Sequence, residues 1–187
     1  MTKQTLDQRI RAIRLVAFDV DGVLTDGSII WTGSGEEIKV FDAHDGAGIK
    51  YLERAGIKTA ILSARQSKPV TLRAKELGIR YVLQGYKLKV PGLEELVNRS
   101  KVPPHEICYV GDDLADIPVM REVGLAVAVA NARPEVKRKA QWVTRASGGR
   151  GAVREIAEKI LRSQKLWGRI VARYGLKGRG GAAGGAL

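Results

Sequence analysis

The chain carries a single cysteine, Cys108, in 187 residues. That excludes an internal disulfide framework and fits a reducing compartment. Cys108 lies in the apolar run Ile107-Cys108-Tyr109-Val110, where a buried, inert thiol is expected. Long apolar stretches are also missing, so no segment is expected to span a membrane. The polar start, Met1-Thr2-Lys3-Gln4, leads into no signal-peptide core. A soluble, cytoplasmic protein is the resulting expectation. Aromatic residues make up only 5% of the chain, and no aromatic-rich strand offers a base-stacking platform. Acidic residues are fewer than basic ones, 20 against 32, for a net charge of +12. Such an excess fits nucleic acid, an anionic small substrate or a basic proteome. Much of it falls late, at Arg150, Arg154, Lys159, Arg162, Lys165, Arg169, Arg173, Lys177 and Arg179, faced only by Glu155 and Glu158.

At this length the chain suits one compact α/β domain and is short for two. Strand-like and helix-like segments alternate, which predicts a Rossmann-like parallel sheet with helices on both faces. Predicted strands fall at 15–18, 57–62, 79–83, 107–110, 125–129 and 142–144. Predicted helices fall at 45–55, 67–77, around 91–98, from 113 to 123, and at 134–140. Between the first strand and first helix, Ile29-Ile30-Trp31 and Ile38-Lys39-Val40-Phe41 flank the turn Thr32-Gly33-Ser34-Gly35, a hairpin signal over 28–41. After Gly148-Gly149-Arg150-Gly151, residues 152–174 read as one long amphipathic helix or two shorter ones. Residues 175–187 are rich in glycine and alanine and read as a flexible tail.

The chemistry concentrates at predicted strand ends. Leu15–Phe18 runs into Asp19-Val20-Asp21-Gly22. Side chains alternate along a strand, so Asp19 and Asp21 share one side. Two carboxylates crowded there repel each other unless a cation or a proton task accompanies them. Ser63 ends the second strand, Lys89 follows the third, and Asp112 and Asp113 end the fourth within Gly111-Asp112-Asp113-Leu114-Ala115-Asp116. Any one of these has a plainer explanation as a cap, a turn or a surface charge. As an ordered set they converge where open parallel sheets bind ligands, beyond the strands' carboxyl ends.

This set resembles the haloacid dehalogenase-like phosphatases. There the motifs are Asp-x-Asp-Gly, a Thr or Ser, a Lys, and Gly-Asp-Asp-x-x-Asp. The resemblance implies that Asp19 is a nucleophile forming an aspartyl-phosphate and Asp21 the general acid and base. Ser63 and Lys89 would receive the phosphoryl oxygens. Mg²⁺ would be held by the Asp19 carboxylate, the Asp21 backbone carbonyl and the Asp112 carboxylate. Lys87 is the fallback for Lys89, which keeps the spacing to Leu93-Glu94-Glu95-Leu96. Ser63-Ala64-Arg65 departs from the usual Thr-Gly-Arg. Neither the 28–41 hairpin nor the segment between Ser63 and Lys89 has room for a large cap domain, so a neighbouring subunit is expected to close the site.

Residues 18–27, 110–120 and 148–155 narrow the likeness to the 3-deoxy-D-manno-octulosonate 8-phosphate (KDO 8-phosphate) phosphatases over about 13–162. That likeness implies a Mg²⁺-dependent homotetramer, with hairpins packed together and C-terminal segments reaching a neighbour's site, acting in lipopolysaccharide core synthesis. Related enzymes act on sialic-acid-type 9-phosphates. Arg65, two residues after the Ser, resembles the KDO 8-phosphate group. Arg65 and Arg73 are candidates for the sugar-acid carboxylate, which suits a guanidinium fork; Gly149 and Arg150 are further substrate-binding candidates. The division expected is a phosphatase domain over 1–162 and a basic helical extension with its tail over 163–187. Two other classes remain: a nucleic-acid or membrane-surface module using the basic helix, and an idle domain associated with a nucleotidyltransferase. No recognition-helix motif accompanies the charge, and the intact Asp19, Asp21, Lys89 and Asp112 argue against an idle domain. No specific nucleic acid and no membrane partner is expected.

Overall fold

Leu15–Phe18 forms strand β1, and every one of its side chains is buried, as expected of a central strand covered on both faces. The computed structural model describes residues 4–176. Helix α1 (Leu6–Ala12) precedes β1. The short strands β2 (Ile30–Trp31) and β3 (Glu37–Ile38) follow it, then α2 (Ala43–Arg54), β4 (Lys58–Ser63) and α3 (Lys68–Leu77). Next come β5 (Tyr81–Gln84), α4 (Lys89–Ser100), β6 (Ile107–Gly111), a 3₁₀ turn at Leu114–Asp116 and α5 (Ile117–Glu122). The described chain ends with β7 (Leu125–Ala128), α6 (Pro134–Lys137), β8 (Trp142–Val143), α7 (Ala152–Ser163) and α8 (Trp167–Ala172).

Six strands form one parallel sheet in the order β5-β4-β1-β6-β7-β8. The chain steps outward from β1 to β4 and β5, then returns past β1 to β6. Right-handed crossovers therefore place α2 and α3 on one face and α4 and α5 on the other. Helix α7 closes the first face against α2 and α1. Its buried residues, Ala152, Val153, Ile156, Ala157, Ile160 and Leu161, form one stripe at three- and four-residue steps. The reversal of strand order at β1 opens a crevice beyond the carboxyl ends of β1, β4 and β6.

The parallel sheet and the small hairpin with no large cap are as the sequence predicts. The hairpin is shorter than the 28–41 pattern, pairing only Ile30 with Ile38 and Trp31 with Glu37. The 152–174 segment is two helices, broken at Lys165, where φ is +60°. Helix α1 carries no sequence expectation; it buries only Ile10 and is held by a Thr5–Gln8 capping box. Of the tail at 175–187, residues 177–187 lie outside the described residues.

Much of the basic charge on α7 is engaged. Arg154 stacks over Tyr51 at 4.8 Å and pairs with Glu158, while Arg162 stacks over Trp167 at 4.6 Å. Trp167 meets Tyr51 edge to face. Arg154 docks α7 onto α2 and Arg162 links α7 to α8, while Lys159, Lys165, Arg169 and Arg173 are exposed. The start of α7 is tied down by Asp45, a buried residue of α2 whose carboxylate accepts from the Gly151 and Arg154 amides at 3.2 and 2.8 Å. Those amides have no partner within α7's first turn, so the carboxylate acts as its cap. Replacing Asp45 by Ala is predicted to lower unfolding stability by about 2 kcal/mol, measured by urea denaturation, with Asp45→Asn costing less.

Candidate active site

Asp19 leaves β1 at its carboxyl end, its own amide bonded to the Val110 carbonyl of β6 at 3.0 Å. The chain then turns tightly: the Val23, Leu24 and Thr25 amides all donate to the Val20 carbonyl. Gly22 takes φ +85°, and a Cβ there would run into the Asp112 carboxylate. Glycine is required for both reasons. The aspartate loop after β1 can therefore sit directly against the loop after β6.

Asp19, Asp21, Ser63, Arg65, Lys89 and Asp112 line one cleft of about 300 Å³, together with Gly27, Ala64, Asp113 and Ala115. Lys89 is the first residue of α4 and is 3% exposed. Its Nζ lies 2.8 Å from Asp19 Oδ2 and 2.5 Å from Asp116 Oδ1, and donates to the Tyr109 hydroxyl at 3.2 Å. Lys87, the fallback, is exposed. Asp116 is fully buried and receives four donors. Oδ1 accepts from Lys89 and, at 2.7 Å, from the Tyr109 hydroxyl; Oδ2 accepts from the Asp112 and Asp113 amides at 2.9 and 3.1 Å. That saturates a carboxylate, so Asp116 braces Lys89 and the Asp112 loop. Asp113 is exposed and accepts from the Leu114 amide.

The carboxylates outnumber the cation at the bottom of the cleft. Burial, reinforced by the Asp116 charge, pushes the Asp19 carboxyl up to about 6 against the opposing pull of Lys89. Burial, then Asp116 and Asp19, pushes Asp112 up to about 7. Burial works against the charge on Lys89, but Asp19 and Asp116 hold its pKa above the usual lysine value. Asp112 Oδ1 is buried without a hydrogen-bond partner. Oxygens of Asp19, Asp112 and Asp116 lie within 4.8 Å of one another. With Asp116 saturated, Asp19 and Asp112 are the two carboxylates free to hold a hard cation, for which such oxygen ligands are suited.

Ser63 is buried at the end of β4 and accepts from the Arg65 amide at 3.4 Å. Three of the sequence candidates do not join the cleft lining. Arg73 points away, donating to Glu76 at 2.8 Å and to the Asp42 carbonyl at 3.4 Å and stacking over Phe41. The Gly149 amide donates to the Val23 carbonyl at 2.9 Å, and its Cα lies so close to Thr25 and Asp26 that no side chain fits. Gly149 thus seats its loop on the loop after β1. Arg150 is exposed and pairs with Asp26 at 3.2 Å.

Two residues absent from the sequence expectations do reach the site. Lys39, just after β3, is almost wholly buried and bonds Asp21, with Glu37 at 3.3 Å. Glu37 binds Arg65 Nη2 at 2.7 Å and the Ser67 hydroxyl at 2.5 Å. The signal for both was the alternation Glu37-Ile38-Lys39-Val40, which sends the charges to one face and the apolar residues to the other.

Comparison with known proteins agrees with this geometry. The profile of haloacid dehalogenase-like hydrolases matches residues 82–156. The 3-deoxy-D-manno-octulosonate 8-phosphate phosphatase KdsC of Yersinia pestis is 46% identical over 157 residues, which is 84% of each chain. A probable YrbI family phosphatase from Pseudomonas syringae superposes with a TM-score of 0.88 at 46% identity, covering 91% of this chain and 97% of that one. The Moraxella catarrhalis 3-deoxy-D-manno-octulosonate 8-phosphate phosphatase, solved with magnesium, phosphate and KDO, superposes at 0.87 with 38% identity over 90% and 97% of the two chains. By sequence over most of its length and by fold, the chain belongs to the KDO 8-phosphate phosphatase family of haloacid dehalogenase-like hydrolases.

Proposed function

We propose that the protein is a Mg²⁺-dependent phosphatase that hydrolyses KDO 8-phosphate to KDO and inorganic phosphate, a step of lipopolysaccharide core synthesis. The observation that carries this reading is the buried Asp19–Lys89–Asp116 cluster beside the unpartnered Asp112 oxygen. It is a site built for an anionic phosphate and a cation, in a chain 46% identical to a KDO 8-phosphate phosphatase.

Asp19 attacks phosphorus and carries the phosphoryl group as an aspartyl-phosphate, later cleaved by water. Its position against Lys89 keeps the carboxylate pointed into the cleft. Asp21, on the same side of the loop and less buried, protonates the departing sugar oxygen and then accepts the proton of the attacking water. Lys89 and the Ser63 hydroxyl receive the phosphoryl oxygens, and the Tyr109–Asp116 brace keeps Lys89 in place. Asp19, Asp112 and the Asp21 carbonyl would hold Mg²⁺. When bound, the ion supplies positive charge against the carboxylates and the phosphoryl oxygens. Arg65 at the mouth of the cleft is the residue proposed to meet the substrate's own carboxylate. It also favours KDO 8-phosphate over a sialic-acid-type 9-phosphate. The family likeness and the built cleft favour this reading over a nucleic-acid function.

We read 1–162 as the catalytic domain and 163–187 as an extension, and place the enzyme in the cytoplasm as a homotetramer. No helix among the described residues is long and apolar enough to cross a membrane. The outward side of the hairpin exposes Ile30, its cross-strand partner Ile38, and Val40, at 40%, 44% and 65%. Such a strip on a two-stranded hairpin fits contact with further copies of the chain.

Asp19→Asn is expected to keep the fold but lower Mg²⁺-dependent phosphate release from KDO 8-phosphate by on the order of a thousandfold or more. A near-normal rate would contradict the assignment. Light scattering on wild type should give a tetramer, and Ile38→Glu a smaller species. A monomeric wild type would remove the proposed role of the hairpin.

A further inference from the structure

The inward side of the hairpin carries a chain of charges that ends at the cleft. Glu37 and Lys39, two residues apart, lie on the same side of the hairpin's second strand. Glu37 Oε1 accepts from Arg65 Nη2 at 2.7 Å and lies 3.3 Å from Lys39 Nζ; Oε2 accepts from the Ser67 hydroxyl at 2.5 Å. Lys39 in turn bonds Asp21. The Glu37 side chain is 8% exposed, although it sits on a hairpin whose other side faces solvent. Burial alone would raise its pKa, but Ser67, Lys39 and Arg65 hold it below the usual glutamate value. It is therefore a fixed anion.

The arrangement at Arg65 is asymmetric. Nη2 is taken by Glu37, whereas Nη1 is buried, has no hydrogen-bond partner and lies 3.5 Å from Asp21 Oδ2. A guanidinium is a rigid fork, so pinning one nitrogen sets the direction of the other. Arg65 lines the cleft that holds Asp19, Lys89 and Asp112. The pinned nitrogen faces the hairpin, and the other, without a hydrogen bond, faces Asp21 in the cleft.

We infer that Glu37 is a positioning residue for substrate selection: it holds Arg65 so that one guanidinium nitrogen, with no hydrogen bond of its own, is directed at the cleft to meet an anionic group of the substrate. This rests on the reading of the cleft as a sugar-acid phosphate site and adds how its selectivity is built. Lys39 shares Glu37 Oε1 with Arg65 and links the hairpin to Asp21. The hairpin thus serves as a small cap contributed by the chain itself. Ser67, just before α3, fixes the other carboxylate oxygen, so Glu37 is anchored to the body of the domain.

The test is steady-state kinetics of Glu37→Ala and Glu37→Gln on two substrates: KDO 8-phosphate, which bears a carboxylate, and p-nitrophenyl phosphate, which does not. Glu37→Ala should raise KM for KDO 8-phosphate about tenfold with kcat within about twofold, and change KM for p-nitrophenyl phosphate by no more than about twofold. Glu37→Gln, which keeps an acceptor for Arg65, should recover most of the loss. Equal losses on both substrates would mean that Glu37 only supports the fold, and the inference would fail. A lowered KM for KDO 8-phosphate would also overturn it, because Glu37 would then compete with the substrate for Arg65. If wild type ignores KDO 8-phosphate but hydrolyses a sialic-acid-type 9-phosphate, the proposed substrate is wrong. The same KM comparison on that acid then decides the role of Glu37.

Discussion

Everything at the functional end of this protein follows from an excess of buried negative charge where the strand order reverses. Asp19, Asp112 and Asp116 converge there, and Lys89 is the one lysine among them. The fold resolves part of the conflict by giving Asp116 four hydrogen-bond donors. It leaves the rest unresolved, with Asp19 and Asp112 both pushed toward neutrality by burial and by their neighbours. A site built only for stability would not carry this arrangement. It becomes reasonable when a divalent cation and a phosphate are the intended occupants, because the same repulsion then favours binding.

How much of this is visible in the sequence depends on the range of the interaction. The buried run before Asp19 and the glycine after Asp21 are local signals, and they specify β1 and its turn without help from the rest of the chain. Lys89 is legible by spacing, but its helix starts there rather than around Pro91. Pro91 lies in the first turn, where proline costs no hydrogen bond. The role of Asp116 was not legible, because saturation by Tyr109, Lys89 and two amides depends on contacts across three elements. Arg73 shows the opposite failure. Its chemistry suits a sugar acid, yet α3 turns it toward Glu76 and Phe41, away from the cleft. Likeness to the KDO 8-phosphate phosphatases makes Gly149 and Arg150 substrate-binding candidates, but the closeness of Gly148 and Gly149 to residues 22–26 makes their loop a support for the nucleophile loop.

The hairpin joins two tasks through strand alternation. Ile38 and Val40 face outward and stay exposed, while Glu37 and Lys39 face inward and reach Arg65, Ser67 and Asp21. A segment of only a few residues can thus offer an apolar surface to other copies of the chain and a polar surface to its own cleft. The absence of a large cap domain makes both sides consequential. Helix α7 is fixed separately: Arg154 stacks on Tyr51 and Arg162 on Trp167, and its N-terminal cap comes from Asp45 of α2.

The central claim is that the metal-free site is electrostatically frustrated and that Asp112 is the group a cation relieves. Asp19 and Asp112 have raised pKa values in the folded state, so the folded protein binds more protons than the unfolded chain between about pH 4 and 7. Their contribution to stability is therefore full below that range and lost as pH rises through 6 to 7. Thermal unfolding of wild type and Asp112→Asn at pH 5 and pH 8, with and without Mg²⁺, tests this directly. Without metal, Asp112→Asn should melt higher than wild type at pH 8 and close to it at pH 5. Mg²⁺ should raise the wild-type midpoint at pH 8 and leave the variant almost unmoved. A metal-free variant less stable than wild type at pH 8, or one that responds to Mg²⁺ as wild type does, would contradict the account.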